Sequence, residues 1–259
     1  MTYALTDSAT MLRRNLKRML RYPSMTVQLA GMPVLFLLLF VYVFGGTLGN
    51  GLGGSGGRGA YVDYVVPGIM LMSIGLAATG TAVSVAMDMT EGIIARFRTM
   101  AISRGSVLTG HVVGSTIQTL ISLVVLLAVA LLIGFRPTAS PLEWLAAIGV
   151  IVLITFALTW LSVALGLVAK TVESASNMPM PLTFLPFLGS GFVPTDSMPD
   201  GLRQFAEYQP FTPFIETIRG LLLGTPIGNS AIMAVGWAVA IAVFGYLWAM
   251  KLFNRDPAR

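Results

Sequence analysis

The chain has 259 residues, 55% of them hydrophobic and only 10% charged, with a formal net charge of +5 and no cysteine. Its mean hydropathy is +0.81. That composition excludes a water-soluble enzyme or DNA-binding module, and a chain without cysteine holds no external disulfide.

The 16 basic and 11 acidic residues leave six uncharged runs of 22 residues or more, at Tyr22 to Gly57, Tyr64 to Met87, Gly105 to Phe135, Trp144 to Ala169, Ser174 to Thr195 and Gly220 to Met250. A bilayer core takes about 20 apolar residues of helix to cross, and a charge at its centre costs about 3 kcal/mol. The expectation is an all-α polytopic membrane protein with six transmembrane helices. If the spans alternate, 12 basic residues fall on one side and four on the other, giving net charges of +7 and −2. Excess Lys and Arg mark the cytoplasmic face, so both termini are expected in the cytoplasm. The positive charge follows topology and does not point to nucleic acid.

In chain order, residues 1–22 form a basic leader. On a helical wheel Leu5, Leu12, Leu16, Met19 and Leu20 make one apolar stripe, and Arg13, Arg14, Lys17, Arg18 and Arg21 make a cationic face. Such a helix lies in the headgroup plane of the inner leaflet. Pro23 ends it by excluding Tyr22 from the helical region. The leader is too long, and lacks the small-residue site, to be a cleaved signal.

Residues 23–254 read as one integral domain. Span one, about 25–44, leads into a glycine-rich stretch from Gly45 to Gly59 that holds nine of the 28 glycines and is expected to be a flexible outer loop. Span two is placed at about 64–87, span three at 109–134, span four at 144–169 and span five at 174–193, with only Lys170 to Glu173 between the last two. The stretch from Pro179 to Pro226 then holds eight of the 14 prolines, and Asp196, Asp200, Arg203, Glu207, Glu216 and Arg219 interrupt the hydrophobicity. Two short helices, about 199–208 and 212–223, would form a re-entrant outer hairpin before span six at about 230–250. Glu216 and Arg219, three apart on one helix face, could pair at an outer gate, with capping or loop anchoring an equal alternative.

Little catalytic chemistry is present. His111 is the only histidine, and no metal-ligand spacing, thiol nucleophile or GxSxG elbow occurs. No ionisable side chain is expected deep in a span, which argues against ion-coupled transport. The chain has no phosphate-binding GxxxxGK[ST] loop, so energy for transport would come from a separate ATPase. Its docking place is expected between spans two and three. There Ile93, Phe97, Met100 and Ala101 share one helical face flanked by Arg96 and Arg98, suited to a groove with an acidic rim on a soluble partner. A membrane-surface helix is the alternative for these residues.

This segment, with Glu91-Gly92, Arg96-Phe97-Arg98, Ser103-Arg104 and Leu108-Thr109-Gly110, resembles the signature of the ABC-2 type transporter permeases. The stretch Gly191 to Pro199, followed by Pro210-Phe211-Thr212-Pro213, Glu216, Arg219 and Leu221 to Gly224, is similar to the family's outer hairpin. Ala101 departs from the proline many members carry. The resemblance covers about residues 14–253 and is nearest to the daunorubicin-resistance type of drug-export permease. It implies a cytoplasmic coupling helix at about 91–101, with Glu91, Gly92, Ile93, Arg96, Phe97, Arg98, Met100 and Arg104 meeting the ATPase. It implies an outer hairpin or gate built on Asp196, Pro199, Pro210, Glu216 and Arg219. It also implies two ATPase copies that bind ATP and magnesium, a second permease as homodimer or heterodimer, and a prokaryotic cytoplasmic membrane. No cofactor or metal is expected on this chain. The expected cargo is a hydrophobic or amphipathic drug-like compound, with lipid, glycolipid or polysaccharide as the alternative served by the same fold. A lipid-modifying enzyme using Asp196, Asp200, Glu207 and Glu216 is the rival from another class.

Overall fold

The computed structural model describes residues 13, 21, 23–51, 57–92 and 104–254. All regular elements among these are helical. Among the described residues, five helices are long and apolar enough to cross a membrane.

The first is composite: α1 (Pro23–Leu39) loosens into a π-helical turn at Phe40–Phe44 and continues as α2 (Gly45–Gly51). The helix thus runs seven residues past its expected end and takes in the start of the glycine-rich stretch. It does so because this end is packed: a β carbon on Gly45 would meet the Arg58 side chain at 3.3 Å, and Gly49 lies directly against the Gly57 carbonyl. Helix α3 (Arg58–Thr90) follows, longer at both ends than expected. Helix α4 (Arg104–Leu132) starts earlier and ends sooner than expected.

Helix α5 (Pro141–Val168) begins three residues early because its start is locally encoded. Ser140 caps it, Pro141 occupies the first turn, and Glu143 Oε2 accepts the Ser140 N–H at 2.6 Å in a capping box. The last long helix, α10 (Ser230–Phe253), packs mainly along α5.

The run expected as span five is not one helix. It comprises α6 (Val172–Asn177), α7 (Met180–Phe184) and a 3-10 turn (Leu185–Leu188), then irregular backbone through Ser190. Pro179, Pro181 and Pro186 each remove a helical N–H donor, which accounts for the breaks. Thr171 starts the segment with a capping box to Ser174. Beyond it lie a 3-10 turn (Thr195–Ser197), α8 (Asp200–Tyr208) and α9 (Phe211–Leu223), the expected pair of short helices to within a residue at each end.

Two apolar clusters fix the direction of each helix. Val85, Leu108, Val112, Trp160, Val163, Ala164, Ala249 and Phe253 meet at one end. The late residues of α3, α5 and α10 therefore share an end with the early residues of α4. At the other end Tyr61, Phe135, Ala147, Ala234, Phe211 and Leu222 belong to the main core. Because α5 and α10 run the same way, the chain between them has to return, and it returns along α3. Gly75 faces the Leu182 carbonyl and Gly68 abuts Gly191, in antiparallel order.

Helix α3 is the spine of the bundle: 72% of its most apolar stretch is buried within the chain, against 17% for α10. The outward face of α10 carries Ile232, Val243, Phe244 and Leu247, an apolar surface that requires a nonaqueous neighbour. Asp63 and Asp88, expected outside span two, lie within α3, each near an end.

A β carbon at Gly75 would sit 2.5 Å from the Leu182 carbonyl oxygen, whereas nothing lies within 4 Å of Gly80. Gly75→Val is expected to destabilise the detergent-solubilised protein by about 1–3 kcal/mol, a clear fall in Tm, and Gly80→Ala to leave it unchanged or slightly raised. Thermal unfolding of the two variants followed by circular dichroism checks this.

Candidate functional site

The end of the bundle bearing Tyr61, Phe135 and Phe211 is organised by the break in the chain after α7. Irregular backbone in an apolar setting leaves N–H and C=O groups that only protein can satisfy, and four side chains from α3, α9 and the turn before α9 do so. Arg219 Nη2 donates to the carbonyl oxygens of Ser190 at 2.6 Å and Tyr64 at 3.0 Å. Tyr61 Oη donates to the Phe192 oxygen at 3.4 Å. Gln209 Nε2 reaches the Leu185 oxygen at 3.4 Å and Thr212 Oγ1 at 3.2 Å, and Thr212 Oγ1 accepts the Ser190 N–H at 3.3 Å. Gln209 Oε1 also accepts the Phe211 N–H at 3.0 Å, capping α9.

Arg219 is 9% exposed and its guanidinium carbon lies 3.9 Å from the centre of the Tyr64 ring. The guanidinium sits over an aromatic face, donates to two backbone carbonyls and has Glu216 as a nearby countercharge. Glu216 turns elsewhere: its Oε2 accepts from Ser230 Oγ at 2.8 Å and ties α9 to the start of α10. The hydrogen bonds of both residues join α9 to neighbouring elements. A second outer tie runs from Asp63 Oδ1 to the Arg136 N–H at 3.0 Å, next to the Thr138 N–H bond to the Leu222 oxygen at 2.9 Å.

The remaining outer charges lie at the surface. Arg203 bridges Asp196 at 2.8 Å and Glu207 at 2.7 Å, with the Glu207 hydrogen bond as the main cause of a guanidinium above its ordinary value. These groups are open to water and stabilise little. Pro199 and Pro210 stand at the starts of α8 and α9. Asp196 and Glu207 share Arg203 while Glu216 pairs with Ser230, and among the described residues no three metal-ligating side chains come together.

Along the side of the bundle, the π-helical turn meets the broken segment through phenylalanines. Phe187 and Phe192 stack at 4.1 Å, Phe40 lies 4.7 Å from Phe192, and Phe36 and Phe184 flank Phe187 at 6.5 and 6.3 Å. Next to this ladder Leu35, Leu39 and Val43 of the first helix and Phe184 and Leu188 of the broken segment are exposed. Both elements thus carry exposed apolar side chains.

At the end bearing the Val85–Leu108–Phe253 cluster, α3 closes at Glu91, whose N–H donates to the Met87 carbonyl at 2.9 Å, and Gly92, whose N–H donates to the Met89 carbonyl at 3.2 Å, turns the chain at φ 70. A positive φ suits glycine. Ile93, Arg96, Phe97, Arg98 and Met100 lie outside the described residues, as do Arg14, Lys17 and Arg18 of the leader. Arg104 is the first residue of α4, and Arg13 and Arg21 are helical and exposed. Beneath this segment His111 Nε2 and Asp88 Oδ2 stand 3.0 Å apart and buried.

The family profile of the ABC-2 type transporters matches residues 7–223, spanning the leader, both ends of the inner segment and the outer helices. The chain belongs to the ABC-2 type transporter family. It is 26% identical over 98% of its length to the daunorubicin resistance ABC transporter permease of Streptomyces coeruleorubidus, covering 88% of that protein. It is 25% identical over 82% of its length to the probable doxorubicin resistance ABC transporter permease of Mycobacterium tuberculosis (strain CDC 1551 / Oshkosh), covering 75% of that protein. It is also 25% identical over 85% of its length to nodulation protein J of Rhizobium leguminosarum bv. viciae, covering 85% of that protein. The protein is therefore a membrane subunit of an ABC transporter, a multi-pass permease.

In this permease sequence reasoning named Arg219 but missed its partners. Tyr61, Tyr64 and Gln209 carry no motif, Thr212 stood in one only as part of Pro210-Phe211-Thr212-Pro213, and their role exists because the segment opposite them is broken. Arg219→Met leaves the Ser190 and Tyr64 contacts unmade and is expected to cost about 2–4 kcal/mol. Arg203→Ala at the exposed pair is expected to leave Tm nearly unchanged. Thermal melts of both variants in the same detergent decide whether burial sets the difference.

Proposed function

We propose that this protein is the permease subunit of an ATP-driven exporter that moves a hydrophobic or amphipathic, drug-like compound outward. One observation carries the cargo class. Two relatives named for daunorubicin and doxorubicin resistance align along more than four-fifths of the chain. The exposed face of Leu35, Leu39, Val43, Phe184 and Leu188 supports it, being an apolar surface that a second permease copy and a passing cargo would share.

In this reading the broken segment from Val172 to Gly191 is a sixth crossing. Support comes from the shared direction of α5 and α10 and from the antiparallel approach of residues 182–191 to α3. The end bearing the Val85–Leu108–Phe253 cluster faces the cytoplasm, because the basic segment containing Arg96, Arg98 and Arg104 leaves from it. Helices α8 and α9 cap the outer leaflet, and both termini are cytoplasmic.

ATP hydrolysis belongs to a separate subunit, taken to be present in two copies beneath two permeases. Its closure on ATP pushes the inner segment, with Phe97 seated in the partner and Arg96 and Arg98 at the rim. Asp88 does not supply ion coupling here, since it lies two residues from the end of α3 rather than at mid-span. The polar leader face of Arg13, Arg14, Lys17, Arg18 and Arg21 rests on anionic headgroups.

Doxorubicin export from cells expressing the permease with its ATPase tests the reading. Phe97→Asp, or Arg96→Asp with Arg98→Asp, is expected to lower efflux by about tenfold or more while the permease still inserts, because a buried aromatic anchor and its charged rim are lost together. Wild-type efflux from these variants would place the docking elsewhere. Absence of any wild-type efflux of doxorubicin would remove the drug class.

A further inference from the structure

We propose that Asp88 and His111 form a clasp across the stem of the inner segment, a positioning pair that makes α3 and α4 answer a push from the ATPase as one body. Asp88 lies in the last turn of α3 and His111 near the start of α4, 23 residues apart in sequence. Their nitrogen and oxygen are 3.0 Å apart, and the side chains are only 4% and 5% exposed. The pair is seated where Val85 of α3 meets Leu108 and Val112 of α4, against Trp160 and Val163 of α5 and Phe253 of α10.

Such a pair is not the cheapest way to hold two helices. Taking a carboxylate and an imidazole out of water costs several kcal/mol, and apolar side chains of similar volume would hold the contact equally well. What a buried hydrogen-bonded pair supplies is a single geometry. Val85, Leu108 and Val112 alone can slide along one another, whereas a directional bond at 3.0 Å fixes the register of the two stems. The position is also the right one. Directly beyond Asp88 the chain turns at Gly92, so any force on 93–103 arrives first at this pair.

The inference rests on the reading of 91–103 as the ATPase contact, and the experiment keeps the two apart. The cysteine-free chain allows spin labels at Thr90→Cys and Ser106→Cys to report the stem distance in the permease–ATPase complex in nanodiscs. A second pair, Ala60→Cys with Thr225→Cys, reports the outer end. Asp88→Ala, His111→Ala, the double variant and the swap Asp88→His with His111→Asp are compared with wild type. The clasp requires a narrow wild-type stem distance, a broadened one in each single variant, and no further broadening in the double variant. It also requires partial narrowing in the swap and an unchanged outer distance throughout. The acceleration of ATP hydrolysis by the permease over the isolated ATPase is expected to fall roughly fivefold or more wherever the stem broadens. Unchanged stem widths in both single variants overturn the clasp. Broad stems with full acceleration overturn its part in coupling. In the same preparation, reversing Arg96 and Arg98 tests docking alone: full acceleration there, with loss in Asp88→Ala, discards the docking site and leaves the clasp.

Discussion

A broken helix surrounded by apolar material has to find partners for its backbone, and that constraint arranges the outer half of this protein. Between Leu185 and Phe192 the chain cannot satisfy its own carbonyls, because prolines and a 3-10 turn interrupt the ladder. Arg219, Tyr61, Gln209 and Thr212 meet the need from neighbouring elements. The cap formed by α8 and α9 therefore cannot be separated from the segment it sits beside: α9 carries the arginine, and the turn before α9 carries the glutamine. A buried arginine would be a liability elsewhere; here the acceptors exposed by the break and the Tyr64 ring offset its desolvation.

The same break leaves a segment divided at Asn177, Phe184 and Leu188 beside an unbroken α3. Its inner anchor is the Thr171–Ser174 capping box, its outer anchor is Arg219, and between them Gly75 lets it lie against the spine. At the opposite end the Asp88–His111 pair ties the last turn of α3 to α4.

Much of this was readable from the sequence, and the reason is solvent. Uncharged runs mark helices that sit in lipid, so α4, α5 and α10 fall close to their expected places. The short outer helices fall within a residue, because charges and prolines bound them on both sides. Hydrophobicity does not report conformation, however. The run from Ser174 is apolar enough to span and is still broken, and Pro179, Pro181 and Pro186 carried that signal. Counting charges also placed Asp63 and Asp88 outside the helix. Both are inside α3 because they find partners, Arg136 and His111, which lie far along the chain. The burial of Arg219 was illegible for the same reason, since its acceptors are backbone atoms that a sequence never marks.

The central claim is that the divided segment from Val172 to Gly191 carries the chain fully across the membrane. Single cysteines at Thr171 and Ser197, introduced into the otherwise cysteine-free protein, test it with a membrane-impermeant maleimide on intact cells. The account predicts labelling of Ser197→Cys in intact cells and of Thr171→Cys only after the membrane is opened. Equal labelling of both positions in intact cells, or of neither until the membrane is opened, would contradict it.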